Sequence, residues 1–196
     1  MLTAIIPARG GSKRIPRKNI RMFMGKPIIA YSIATAQESG LFGKILVSTE
    51  DAEIAALAVS LGAEVVDRPA ALADDKVGTQ EVVRHALTFT RDEYICCILA
   101  TAPMMTVDSL KLAYEELRHR PLMMYAISVG TEPPSGLQDA AQFYMGRRAA
   151  FKHDRPLIGP NTIMIPVQNV CDIDTEQDWK RAEKMYGSSL VLEDAL

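Results

Sequence analysis

Residues 2–48 read LTAIIPARGGSKRIPRKNIRMFMGKPIIAYSIATAQESGLFGKILVS, and their pattern decides the fold. Leu2 to Pro7 is a brief apolar run of strand length. A loop rich in glycine, lysine and arginine follows as far as Asn19. Pro27 stands at a first helical position, with Ile28, Ile29, Ile33 and Ala36 recurring at helical spacing up to Gly40. Lys44 to Ser48 is a second strand.

The same alternation runs outward along the chain. Ala52–Leu61 is a second helix stopped by Gly62, and Ala63–Val66 a third strand. Thr79–Thr90 reads as a helix, Tyr94–Ala100 as a buried strand and Val107–Arg118 as another helix. Leu122–Val129, Gln142–Tyr144 and Thr162–Pro166 are strand-like, and Asp174–Tyr186 is an amphipathic helix. Strands alternating with helices predict an α/β sandwich around a mostly parallel sheet. Ligands of such sheets sit beyond the carboxyl ends of the strands, which singles out the loops after Pro7, Ser48, Val66 and Ala100. Gly130–Leu137, with two prolines and two glycines, is a short polar connector.

Composition narrows the classes. At 196 residues the chain reads as one domain, in which folding buries roughly 70% of the extended surface without a disulfide or metal staple. Its 48% hydrophobic and 23% charged content is that of an ordinary folded protein. A net charge of −2 argues against a nucleic-acid footprint, which needs a basic stripe. Cys96 and Cys97 sit in an apolar run and Cys171 stands apart, so no zinc spacing exists and reduced core thiols are expected. The apolar start lacks a charged n-region, and no run approaches the ~20 apolar residues of a membrane span. A cytoplasmic protein, without membrane or nucleic-acid partners, is expected.

The strongest chemical signal is the loop Arg9-Gly10-Gly11-Ser12-Lys13-Arg14-Ile15-Pro16-Arg17-Lys18-Asn19, with five cations in eleven residues. Glycines let backbone N–H groups approach an anion, and the cations suit a triphosphate. The loop is neither GxxxxGK[ST] nor GxGxxG, which disfavours P-loop kinases and dinucleotide enzymes. Near the other end, Asp172 and Asp174 are two residues apart, so in extended chain both carboxylates face one side. Anions ~4 Å apart repel by about 1–4 kcal/mol, so a cation is expected there. Mg²⁺ fits, held by one or two carboxylates plus substrate phosphates. The competing reading of Asp174 is an N-cap, with Gln177 three residues on.

The stretch AIIPARGGSKRIPRKNI resembles the opening signature of the acylneuraminate cytidylyltransferase family. GKPIIAYSI, SGLFGKILVSTEDAEIA, GAEVVDRPAALADD and DIDTEQDW fit the same family in order. The resemblance implies a Rossmann-like nucleotide-diphospho-sugar transferase fold, a three-layer α/β/α sandwich with a mostly parallel mixed sheet. It implies an enzyme that joins a sugar-acid hydroxyl to the α-phosphorus of CTP, with Mg²⁺ and release of pyrophosphate. On this chain Arg9, Ser12 and Lys13 would cradle the triphosphate together with Ala8, Gly10 and Gly11. Asn19 would contact the nucleotide, and Arg68 and Thr79 the cytosine and ribose. Arg9, Lys18 and Asp174 would be catalytic, Lys18 by stabilising departing pyrophosphate, and Asp172 with Asp174 would hold the metal. For Arg68 the plainer reading is a surface charge after a strand. Asp74 and Asp75 are not expected to be ligands.

Within that family, ATAP at 100–103, DAAQFYMG at 139–146 and GPNTIMIP at 159–166 are similar to the pseudaminic acid cytidylyltransferases. A glutamine that the family associates with the sugar acid falls on Leu99 here. The resemblance places Thr101, Gln142 and Tyr144 against the sugar acid. The alternatives are legionaminic or N-acetylneuraminic acid as acceptor, or a CTP-binding protein without turnover. Family members carry a longer insertion where this chain has its connector, and that insertion crosses to a second subunit. A homodimer with a shortened region at about 130–146 is therefore expected.

Overall fold

A strand that buries residues of both parities must be covered on both faces, and β1 (Leu2–Pro7) is such a strand. In the computed structural model, which describes residues 1–130 and 137–193 with side chains to residue 188, β1 lies mid-sheet. Ala4 and Ile6 point into one core and Ile5 into another. A small hairpin follows, β2 (Met22–Phe23) and β3 (Lys26–Pro27). The chain then runs through α1 (Ile28–Ser39), β4 (Lys44–Thr49), α2 (Ala52–Ser60), β5 (Glu64–Asp67), α3 (Thr79–Ala86), β6 (Tyr94–Ile98) and α4 (Val107–His119). The remaining elements are β7 (Tyr125–Gly130), β8 (Gln138–Arg147), α5 (Arg148–Lys152), β9 (Thr162–Pro166) and α6 (Glu176–Glu193).

Seven strands form one sheet in the order β5-β4-β1-β6-β8-β7-β9. Only β8 runs against its neighbours; every other pairing is parallel. Helices α1, α2 and α4 cover one face through Ile29, Ile54 and Leu110, and α3 and α5 cover the other through Val83 and Phe151. This is the expected three-layer mixed sandwich. Cys96 and Cys97 lie fully buried in it, and burial pushes the Cys97 thiol up to about 12, so both are inert core. No helix among the described residues is long and apolar enough to cross a membrane.

A third, smaller core joins distant parts of the chain. Ile15 from the basic loop, Phe23 from the hairpin and Ile28 from α1 pack against Ile173, Trp179 and Ala182. Phe23 meets Trp179, Tyr31 and Tyr186 edge-on at 5.6, 5.7 and 5.6 Å, favourable quadrupole geometry. The Arg21 guanidinium lies 4.5 Å over the Trp179 ring.

Several elements differ from the sequence reading. The hairpin was not anticipated; its two-residue turn puts Met24 at φ 44° and Gly25 at φ 92°, the positive-φ pair that a tight hairpin needs. Strand β8 is ten residues long, not the three of Gln142–Tyr144, because it is held on both sides within the sheet. Where β7 and β8 shift register, Ser128 Oγ accepts from the backbone N–H of Gln142 (3.2 Å) and Phe143 (3.1 Å). The Thr79 helix ends at Ala86 and tightens into a 3₁₀ turn, Leu87–Phe89. The connector read at Gly130–Leu137 lies for residues 131–136 outside the described residues.

Candidate active site

The basic loop leaves the carboxyl end of β1 and borders a cavity of about 450 Å³. The expected loops after Val66 and Ala100 contribute Arg68 and Thr101 to its wall. The loop after Ser48 does not line it. Glu50 and Asp51 instead lie behind the basic loop, Glu50 accepting from its backbone while Asp51 lies close against Gly10 and pairs with the Arg17 side chain.

That backbone is fastened at successive residues. Ala8 is buried and its N–H donates to Ser48 O at 2.9 Å. Asn19 Nδ2 donates to Arg9 O at 2.9 Å, and Gly10 N–H donates to Glu50 Oε1 at 2.8 Å. A Cβ on Gly10 would lie 2.3 Å from Asp51 Oδ2, so only glycine allows this approach. Ser12 N–H donates to Gly10 O at 3.0 Å, closing a tight turn with open space around Gly11.

The five loop cations divide into three sets. Arg9 and Lys13 converge on Asp75, Lys13 at 2.5 Å. Arg14 and Lys18 converge on Asp174 at 2.9 and 3.3 Å. Arg17, held at a left-handed φ of 55°, turns away onto Asp51 and Glu53. Asp51 also caps α2, accepting from the N–H of Glu53 and Ile54 at 3.0 Å each. The Arg17 fork holds Asp51 down at about 2. Lys13 is 81% exposed and Lys18 only 19%, so solvent screens the Lys18 pair less. Lys18 Nζ also donates to Ile173 O at 2.6 Å.

Arg68 is no surface charge. It is 4% exposed, and its guanidinium donates to Ser48 Oγ at 3.2 Å and Ser48 O at 2.5 Å. Burial lowers its pKa, with Glu50 opposing that effect electrostatically. Thr79 opens α3 on the far wall of the same cavity. The structure thus gathers Arg9, Ser12, Lys13, Lys18, Asn19, Arg68, Thr79, Thr101 and Asp174 around one space. Ala8, Gly10 and Gly11 are not part of its lining. Gln142 and Tyr144 lie on β8 outside that wall, one strand over from Leu99, whose N–H donates to Gln142 O at 2.9 Å. Gln142 is buried, its amide oxygen without a hydrogen-bond partner among the described residues, and Tyr144 donates to Asp139 at 2.8 Å.

The acidic segment is oriented by the residue between its carboxylates. Ile173 is fully buried in the third core, so Asp172 and Asp174 turn the other way. Asp174 borders the main cavity, while Asp172 faces a second one of about 230 Å³ beside Asp139 and Arg181. Partial burial and then the Asp174 charge push the Asp172 carboxyl above its ordinary range. Asp174 is not the helix cap. Thr175 Oγ1 accepts from Asp178 N–H at 3.2 Å while Asp178 Oδ2 accepts from Thr175 N–H at 2.8 Å, a reciprocal capping box. Helix α6 accordingly starts at Glu176, and the Asp174 carboxylate is left for the cavity. The cation expected near the pair is met in part by Lys18 and Arg14. Among the described residues no group of three or more His, Cys, Asp or Glu could hold a metal. A divalent ion at this pair would therefore need substrate oxygens as further ligands, which is how Mg²⁺ is commonly held.

Sequence reasoning missed Glu50, Asp51 and Asp75. Asp51 carried a signal, an acidic residue directly before a helix. Glu50 and Asp75 carried none, because their partners are far away in sequence.

The cytidylyltransferase family matches residues 3–144, which take in the loop, Arg68, Thr79, Thr101 and most of β8. A pseudaminic acid cytidylyltransferase of Campylobacter jejuni is 34% identical, covering 93% of this chain and 94% of that protein. The 219 aligned positions exceed the 196 residues here, so that relative has residues opposite gaps in this chain. A CMP:2-keto-3-deoxy-manno-octonic acid synthetase solved with CTP superposes at TM-score 0.78 and 15% identity, over 96% of this chain and 99% of that one. A Mycobacterium tuberculosis protein solved with manganese superposes at 0.66 and 17%, over 93% and 98%. At those identities the two structures speak for the fold alone. The family match across most of the sequence, and a relative similar over nearly its full length, establish that the chain belongs to the cytidylyltransferase family.

Proposed function

We propose that this enzyme transfers CMP from CTP to a nonulosonic acid, with pseudaminic acid as the acceptor, and releases pyrophosphate. The observation that carries the reading is the convergence of Arg9, Lys13, Lys18 and buried Arg68 on one cavity that Asp174 also borders. Similarity along nearly the whole chain to a pseudaminic acid cytidylyltransferase supports the choice of acceptor.

In this reaction an acceptor hydroxyl oxygen bonds to the α-phosphorus of CTP, the bond from that phosphorus to the bridging oxygen breaks, and the electron pair leaves on pyrophosphate. The hydroxyl proton passes to solvent. Such transfers depend on positioning and charge stabilisation. Arg9 and Lys13 would bind the phosphates, exchanging Asp75 for them. Lys18, held by Ile173 O, would neutralise charge on the departing pyrophosphate. Arg68, anchored to Ser48, would border the nucleoside, with Asn19 and Thr79. Asp172 and Asp174 would hold Mg²⁺ together with phosphate oxygens; when bound, the ion lowers the acceptor hydroxyl's pKa and offsets phosphate charge. Gln142, Tyr144 and Thr101 would meet the sugar acid.

Pyrophosphate release from CTP with pseudaminic, legionaminic and N-acetylneuraminic acids tests the reading. The expected result is turnover with CTP and the first acid best. CTP binding without turnover on any of the three would leave only a nucleotide-binding protein.

A further inference from the structure

The peptide unit between Arg9 and Gly10 has both of its polar atoms taken by side chains. Its oxygen accepts from Asn19 Nδ2 at 2.9 Å and its N–H donates to Glu50 Oε1 at 2.8 Å. A peptide plane held at both ends cannot turn without breaking both bonds. Its orientation sets ψ of Arg9 and φ of Gly10, and so the direction in which the Arg9 side chain leaves the loop. Glu50 reaches it from the end of β4, which is locked to β1 in register up to the pair Pro7 and Ser48. The other Glu50 oxygen is buried without a hydrogen-bond partner among the described residues. A carboxylate is costly to bury half-bonded, and the bond this one makes is to the Gly10 N–H.

We propose that Glu50 is a positioning residue for nucleotide binding: it fixes the Arg9–Gly10 peptide, and hence the aim of Arg9. It does not line the cavity, so it acts through Arg9. The inference rests on the CTP reading above.

The test is calorimetric CTP binding and initial rates for the full chain carrying Glu50→Ala or Glu50→Gln. Removing a hydrogen bond to a charged group leads us to expect about tenfold weaker CTP binding in Glu50→Ala. The KM for CTP should rise in step while the KM for the sugar acid stays level. Glu50→Gln keeps an oxygen for the Gly10 N–H and should recover to within about threefold of the parent. Because Asn19 holds the same peptide, Glu50→Ala with Asn19→Ala should lose less than the product of the two single losses. A folded Glu50→Ala protein that binds CTP like the parent overturns the inference, as does an equal rise in both KM values. If Glu50→Ala melts early, Glu50→Asp replaces it, its shorter side chain withdrawing the acceptor from the Gly10 N–H: a rise in the KM for CTP alone supports the inference, and parent-like CTP binding overturns it. A parent chain that fails to bind CTP overturns the function and this inference together.

Discussion

At the scale of single residues, the loop cations differ in how tightly the protein holds them. Lys18 is anchored to a backbone oxygen and mostly buried, whereas Lys13 is a solvated side chain paired with Asp75. Lys18→Ala and Arg9→Ala are expected to cut turnover by two or more orders of magnitude, roughly the worth of a lost charge contact in the transition state. Steady-state kinetics beside a thermal melt checks this; near-normal kcat/KM would remove the loop from the mechanism. Asp75 makes the opposite prediction. Its carboxylate occupies the two cations a triphosphate would need, so Asp75→Asn should tighten CTP binding a few-fold, read by calorimetry. Weaker binding would mean that Asp75 orders those cations instead of competing for them. Asp172→Asn and Asp174→Asn keep size, and the Thr175–Asp178 cap is untouched. Both should melt like the parent yet lose most turnover and need more Mg²⁺. Fully active variants at both positions would exclude the pair from metal binding.

At the scale of elements, α2 shows how a helix start supports a neighbouring loop. Asp51 caps α2 and receives the Arg17 fork, and these contacts depress its carboxyl to about 2. A depressed carboxyl contributes stability that is full above its unfolded value near 3.8 and lost as pH falls through its folded value. Melting temperature should therefore fall between pH about 4 and about 2, with roughly 1–2 kcal/mol of stability in that window, discounted because the pair is partly open to solvent. Asn still caps, so Asp51→Asn should lose most of this acid-linked step. Melts across that range in which parent and variant change alike would contradict it. Elements also show what the sequence could tell. The β1 loop was legible because glycines and cations follow directly on an apolar strand, and α1 because Ile28, Ile29, Ile33 and Ala36 keep a helical period. Strand β8 was not, since Asp139, Ala140, Ala141 and Gly146 are poor strand formers that the sheet overrides. The end of α6 nearest the site was misplaced by two residues because Asp174 with Gln177 and Thr175 with Asp178 are rival capping pairs, and only the geometry chooses the second.

At the scale of the molecule, the sheet order sets the site apart from the sequence. Glu50 meets Gly10 across forty residues, and Asp174 meets Lys18 across 156, so neither pairing leaves a local pattern. For the same reason the sequence left Arg68 a rival reading as a surface charge beside its nucleotide role; in the structure it is 4% exposed at the end of β5. The connector at Gly130–Leu137, where the resemblance implies a second-subunit contact, lies for residues 131–136 outside those described. We expect the chain to form a dimer without an exchanged arm, and sedimentation at several concentrations tests this. A strict monomer with full activity would mean that the acceptor site is complete within one chain.

The small core of Ile15, Phe23, Ile28, Ile173, Trp179 and Ala182 has a consequence for how the enzyme comes into being. On a chain synthesised from its amino end, the basic loop is made well before the acidic pair, Lys18 lying 156 residues ahead of Asp174. The plug that brings them face to face needs Trp179 and Ala182, so the cavity stays unfinished until those residues have been made. A growing polypeptide carries the arginines and lysines of the loop before it carries Asp172 and Asp174. With the metal role proposed for that pair, chemistry would wait for α6 to seat.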